Sequence, residues 1–359
     1  MSTNQPLVPT VYSIDEVRAR VDRLIQQWFA TQISRAQPVG PEYVELWQTM
    51  LELSQAGGKR IRPYLTVLSY QAFGGKHIDA LLPVAAAQEL LHLSLLVHDD
   101  IIDRDYTRYG QANIAGTYRA KYTAHTPDAE HYAQSAALLA GDLLLSGSYQ
   151  LTLASQLPPE RLTAIFALLG TAIFEVGGGE FLDTIAAFSA IDTVDSLHVA
   201  DYKTASYSFV APLIIGATAA NADQSALATL TKLGKSLGIA YQLSDDLLGT
   251  FGDPAKTGKP SDSDIREGKR TYLLQRTFEL CDSDTRARLE KLLNTADMSD
   301  KDVASIRARM VQSGAKEDVI AKMHQCAKEG KTALTSLNLA PAYTQVLTGL
   351  IEKAIWRDH

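Results

Sequence analysis

An all-α fold is what this 359-residue sequence predicts. Apolar residues recur three or four positions apart along most of the chain, and sustained two-residue alternation is almost absent. Gly and Pro clusters punctuate the periodic stretches. A hydrophobic content of 46% with 21% charged residues belongs to a globular chain with a sizeable core. No Pro-Ser-Gly linker or low-complexity tract divides it. The expected organisation is therefore a flexible N-terminal tail over residues 1–12 and a single all-α domain over residues 13–359.

Each element has its own signal. Ser13-Ile14-Asp15-Glu16 is a capping box and opens a helix to about residue 35. Pro38-Val39-Gly40-Pro41 breaks it, and a second helix from Pro41 ends at Gly57-Gly58, where the backbone can turn. Helical spacing recurs over about 61–73, 79–103, 130–156, 159–178, 195–221 and 225–250. It returns over about 270–281, 284–294, 299–313, 316–336 and 340–357. Arg104–Pro127 and Gly252–Gly268 read as long loops rich in Gly, Lys, Arg and Asp, a composition suited to binding segments.

Composition also excludes. A net charge of −7 disfavours nucleic acid and anionic membrane surfaces as partners. Apolar runs such as Leu90–Val97 and Ala211–Ala220 are far short of the ~20 residues that span a bilayer, so no transmembrane segment is expected. The N-terminus lacks a basic-then-apolar signal pattern. Cys281 and Cys326 are too few for a disulfide framework or a zinc site, which fits a cytoplasmic location.

Two acidic pairs stand out. Asp99-Asp100-Ile101-Ile102-Asp103 closes the apolar run from Leu90, and Asp245-Asp246-Leu247-Leu248-Gly249 closes the run from Leu237. Desolvating unpaired carboxylates costs several kcal/mol, roughly, so a cation between the pairs is expected. Oxygen-only ligands without His or Cys suit magnesium. On a helix Asp99 and Asp103 share a face, His92 lies two turns below, and Leu91, Ser94 and Leu95 form the adjoining wall. Gln242, Asp245 and Asp246 repeat the spacing, but Gly249 leaves this half without a third carboxylate; Asp253 is a candidate substitute.

Basic residues follow both pairs. Arg108 lies just past the first, and Lys256, Lys259 and Lys269 past the second, among glycines that suit a metal-bridged polyphosphate. Gly57-Gly58-Lys59-Arg60-Ile61-Arg62-Pro63 places Lys59 and Arg62 at a helix start, a second anion site that is not a nucleotide P-loop. Lys203-Thr204 adds a cation and a hydroxyl. Singly, each of these is more often a solvated surface patch. Together they point to a diphosphate site.

In this order, with Gly141-Asp142 between them, the motifs resemble the trans-type prenyl diphosphate synthases of the polyprenyl synthetase family, over roughly residues 45–275. The resemblance implies a helical bundle around a deep central cavity, a homodimer, and Mg2+-dependent head-to-tail condensation of isopentenyl diphosphate with an allylic diphosphate. Carried over by position, Asp99, Asp103 and Asp245 would bind magnesium, a three-ion cluster in the family pattern, with Asp100 and Asp246 in support. Arg108, Lys203, Lys259 and Lys269 would hold the allylic diphosphate. Lys59, Arg62 and His92 would hold isopentenyl diphosphate, and Thr204 and Gln242 would face the allylic cation.

Three positions depart from the family pattern: Tyr109 replaces a second Arg, Glu180 replaces Gln, and Gly249 replaces the third Asp. Ser94 and Leu95, five and four residues before Asp99, are not the aromatics that stop growth at fifteen carbons, so geranylgeranyl diphosphate is the expected product. Longer polyprenyl or farnesyl products are the alternatives. A class I terpene cyclase would not need Lys59, Arg62 and His92, and a non-catalytic subunit would not need Asp99, Asp103 and Asp245. His98 reads as a hydrogen-bonding neighbour of Asp99, and Trp28, Trp47 and Trp356 as core or dimer-contact residues.

Overall fold

Ser13 caps the first helix as the sequence predicts: its hydroxyl accepts from the Glu16 N–H while the Glu16 carboxylate accepts from the Ser13 N–H. The computed structural model describes residues 11–252, 262–293 and 298–355. These fall into two compact units, one comprising 11–167 with 215–222 and the other 168–214 with 223–355. Lys256, Lys259, Asp253 and Trp356 lie outside the described residues.

The first unit begins with α1 (Ile14–Ala36), α2 (Pro41–Gln55) and α3 (Ile61–Ala72). Trp28, Phe29 and Trp47 meet edge-to-face between α1 and α2, with centroids 5.0 to 6.2 Å apart, which places both tryptophans in the core. At the chain start, Tyr12 donates its N–H to Gln71 at 3.3 Å, and the Arg20 guanidinium lies over its ring.

The centre of this unit is α4 (Ile78–Ile102), whose residues are buried nearly all round until its last turn. Its partner α6 (Ala129–Leu153) packs closely along it, and Gly147 gives room for Trp28 and Leu90. The segment Arg104–Pro127 is not an open loop. It holds β1 (Thr107–Arg108) paired antiparallel with β2 (Gln111–Ala112), then α5 (Ile114–Tyr122), which Asn113 caps. Tyr109 and Gly110 turn this hairpin in the left-handed region at φ 54° and 74°. Two residues per strand are too few to show alternation, which is why the sequence reading passed over them.

The unit boundary falls within α7 (Pro159–Ala186), eight residues longer than its spacing predicted. In the second unit, α8 (Ser196–Ala200) runs directly into a π-helical stretch, Asp201–Val210, and then into α9 (Ala211–Ala219), whose residues from 215 onward belong to the first unit. The Ala211 N–H bonds the Ser206 carbonyl, five residues back. α10 (Gln224–Phe251), capped by Asp223, crosses this stretch so closely that Gly238 has no room for a methyl group against Ala205. Helices Tyr272–Leu280, Ser283–Leu293, Asp300–Gln312, Ala315–Ser336 and Pro341–Ile355 complete the unit near their expected positions.

By length and composition alone, α4 and α7 are each long and apolar enough to cross a membrane. Burial separates them. The apolar window of α4 is 72% buried, as a core helix should be, whereas that of α7 is only 28% buried.

Candidate active site

In the first unit the last turn of α4 carries the acidic motif. Asp99 is half-buried, Asp103 is exposed as the helix cap, and Asp100 turns inward. Arg108 reaches back from β1 to it: Nε and Nη2 donate to one Asp100 oxygen at 2.9 and 2.6 Å, and Nη2 also reaches Asp99 at 3.3 Å. Burial pushes the Asp100 carboxyl up to about 6, and the Arg108 hydrogen bond and charge oppose that rise. Arg108 therefore lies at the acidic motif. The hairpin that places it there was not foreseen.

His98 lies against Gly141 of α6, where a methyl group would collide with its imidazole, and its Nε2 is 3.6 Å from Asp142. The pair Gly141-Asp142 thus receives the side chain next to Asp99: Gly141 supplies the space and Asp142 the charge.

The loop between α2 and α3 is held from beneath by Arg60, a residue to which the sequence reading assigned no role. Its buried guanidinium donates to Asp22 (2.7 Å), Glu89 (2.8 Å), the Gly57 carbonyl (2.9 Å) and the Ser54 carbonyl (2.6 Å). Arg60 itself sits at φ 52°, a strained conformation sustained by these bonds. Arg60 turns inward, whereas its neighbours at the start of α3 are exposed (Lys59) and half-buried (Arg62). The Tyr109 ring packs on Gly57, so the residue that departs from the family pattern closes the hairpin onto this loop.

His92 lies two turns before Asp99 on α4. Desolvation and the charges of Arg62, Arg108 and Arg60 hold its imidazole well below the ordinary value, so it is neutral near pH 7. Leu91 and Ser94 are fully buried and Leu95 is half-buried. The Ser94 hydroxyl and both amide atoms of Gln88 are buried without a hydrogen-bond partner among the described residues.

In the second unit the acidic motif belongs to α10. Thr204, from the π-helical stretch, donates its hydroxyl to Gln242 Oε1 at 2.6 Å, and Gln242 Nε2 donates to Asp246 at 2.8 Å. This chain orients Gln242 and fixes its amide. Burial pushes Asp246 up to about 8, against the Gln242 hydrogen bond, with Asp264, Asp245 and Asp183 adding repulsion. Asp245 is half-buried beside it.

Gly249 has a specific neighbour. A side chain there would meet the carboxylate of Asp264, so Asp264 brings an acid to the position where α10 has none. Sequence spacing could not show this, because the pairing depends on how residues 262–268 fold back. Lys269 is exposed and pairs with Glu267 at 3.1 Å. Lys203 is half-buried, 2.6 Å from Asp183 and 3.0 Å from Glu180 on α7. Gly179 permits this approach, since a methyl group there would strike the Lys203 backbone.

Among the described residues, no three His, Cys, Asp or Glu side chains gather closely enough to hold a metal by themselves. The donor chemistry nevertheless fits magnesium: each acidic motif combines a half-buried carboxylate with a buried one raised by desolvation, a pattern that an oxygen-seeking cation relieves. A diphosphate would supply the remaining oxygens.

The polyprenyl synthetase family model matches residues 44–310. Geranylgeranyl diphosphate synthase from Sulfolobus acidocaldarius is 35% identical over 73% of this chain and 75% of its own length. A short chain isoprenyl diphosphate synthase from Methanocaldococcus jannaschii is 33% identical over 72% of this chain and 74% of its own. A structure of geranylgeranyl pyrophosphate synthase from Corynebacterium glutamicum, complexed with isoprenyl diphosphate and magnesium, aligns with a TM-score of 0.90. That alignment has 29% identity and covers 97% of this chain and 100% of the other. The chain belongs to the polyprenyl synthetase family. It is a prenyltransferase of the kind that builds trans-prenyl diphosphates from isopentenyl and allylic diphosphates.

Proposed function

We propose that this enzyme is a Mg2+-dependent geranylgeranyl diphosphate synthase. The observation that carries the product assignment is Ser94, a small and fully buried side chain five residues before Asp99, where a bulky group would stop the growing chain early. Relatives named geranylgeranyl diphosphate synthase support the same length. In this reading Asp99, Asp103 and Asp245 hold magnesium, with three ions as in the pattern the motifs resemble, and Asp100 and Asp246 support them. Magnesium supplies the positive charge that stabilises a departing diphosphate.

Arg108, Lys203, Lys259 and Lys269 bind the allylic diphosphate, and Lys59, Arg62 and neutral His92 bind isopentenyl diphosphate. As the allylic C–O bond opens, Thr204 and Gln242 turn oxygen dipoles toward the cation, fixed in place by their mutual hydrogen bond. The alkene of isopentenyl diphosphate attacks, and released pyrophosphate accepts the proton, so no side-chain base is assigned. Asp264 stands in for the acid missing at Gly249.

We read the working enzyme as one all-α domain forming a cytoplasmic homodimer. The α7 segment of the second unit exposes Phe174, Phe181, Leu182 and Ile185, a face that a second copy would cover. The unpaired Cys281 and Cys326 suit a reducing compartment.

The test is to incubate the purified protein with labelled isopentenyl diphosphate, Mg2+ and dimethylallyl, geranyl or farnesyl diphosphate in turn. A C20 product that disappears with chelator or with Asp99→Ala is expected. A product ending at C15, or running past C20, would overturn the length assignment.

A further inference from the structure

Lys203 is held by more negative charge than one ammonium needs. Asp183 Oδ2 lies 2.6 Å from its Nζ, and both Glu180 oxygens lie within reach, at 3.1 and 3.0 Å. All three side chains are only partly exposed, so their charges are weakly screened. Glu180 and Asp183 are three residues apart on α7 and present their carboxylates as one pincer. The absence of a Gly179 side chain lets the Lys203 backbone come down onto α7, which fixes the distance. One carboxylate would neutralise the lysine. Two leave the trio with a net charge of −1 beside Thr204, which lies on the same π-helical stretch.

We propose that Glu180 is a positioning residue that weakens the hold of Lys203 on the allylic diphosphate. This rests on the assignment of Lys203 as an allylic-diphosphate cation. An incoming diphosphate must draw the ammonium away from a bidentate carboxylate, and it then faces Glu180 and Asp183 left with excess negative charge. Both effects lower affinity at this subsite, and neither acts directly on the isopentenyl subsite. The benefit is turnover: every product is itself an allylic diphosphate, and a looser grip speeds its release. Removing one negative charge a few ångströms from the bound anion, in partly solvated surroundings, is expected to tighten binding about tenfold.

The experiment titrates full-length protein with an allylic thiolodiphosphate, which binds without ionising, in the presence of Mg2+ by calorimetry. Glu180→Gln should lower Kd about tenfold and lower the KM for the allylic substrate, while the KM for isopentenyl diphosphate stays within about twofold. Glu180→Asp should keep an affinity near wild type. Asp183→Asn also brings the trio to neutrality and should tighten binding in the same direction, which keeps the test open if Glu180→Gln folds poorly. The gain should vanish in a Lys203→Ala background, because the effect passes through Lys203. Unchanged or weaker binding by well-folded Glu180→Gln and Asp183→Asn, or a gain that persists without Lys203, would overturn the inference. Wild-type protein that neither elongates allylic diphosphates nor binds the thiolodiphosphate would instead sink the functional assignment and this inference with it.

Discussion

Arg108 gives two donors to a single oxygen of Asp100, at 2.9 and 2.6 Å, and so ties the hairpin after α4 to the buried side of the acidic motif. Arg108→Ala leaves a nearly inaccessible carboxylate without its counter-charge. Breaking such a pair costs ~3 kcal/mol or more. The unfolding midpoint in urea should fall accordingly, and Arg108→Ala/Asp100→Asn should recover most of the loss. A single variant as stable as wild type would show that the pair does not hold the hairpin.

Arg60 makes the corresponding prediction for the loop bearing Lys59. Glu89→Gln preserves shape but removes one of its two anionic partners. Stability is expected to fall by about 1–3 kcal/mol, through a weakened charge-assisted hydrogen bond. Because Arg60 anchors the backbone between Gly57 and Arg62, steady-state kinetics should show the KM for isopentenyl diphosphate rising more than that for the allylic substrate.

His92 makes stability depend on pH. Its folded-state value lies below the ordinary 6.5, chiefly through desolvation. As pH falls through ~6.5 the unfolded chain takes up a proton that the folded chain refuses, so the contribution of His92 to stability falls with acidification in that window. Asp100 and Asp246, raised to about 6 and about 8, act in the opposite sense, so His92 is read as a difference: in urea denaturation at pH 7, 6 and 5, wild type should lose stability on acidification relative to His92→Asn. Parallel curves for the two proteins would remove His92 as its source.

Gly238 tests the crossing of α10 with the π-helical stretch. In Gly238→Ala the new methyl group meets the backbone and Cβ of Ala205, which cannot rotate aside. A loss of ~1–3 kcal/mol is expected from overpacking. Activity should fall further than stability alone explains, because Thr204 is the adjacent residue. Thermal unfolding and kcat measured on the same sample separate the two effects.

Much of this molecule was readable in its sequence, for identifiable reasons. The helices announce themselves because each hides one face, and the Ser13 capping box is local chemistry that needs no tertiary context. The acidic motifs were visible for the opposite reason, as charge placed at the end of apolar runs. What escaped depends on distant segments meeting. Asp264 beside Gly249, Asp22 and Glu89 around Arg60 and the two carboxylates on Lys203 join residues that are not neighbours in the chain. The hairpin at Thr107–Ala112 was too short to leave a pattern.

The π-helical stretch between α8 and α9 has a consequence for inheritance as well as for shape. A wide turn of this kind is the trace of an extra residue accommodated within a helix, and it shifts the phase of everything that follows. Removing one residue from Asp201–Val210 would let the helix close into regular α geometry while turning the residues on one side of the deletion by ~100° relative to the other. Lys203 and Thr204 would then lose alignment with Glu180 and Gln242. Single-residue deletions here should therefore be forbidden to a working enzyme even where they favour a more regular helix, so that chain length in this segment is held by the reaction and not by folding.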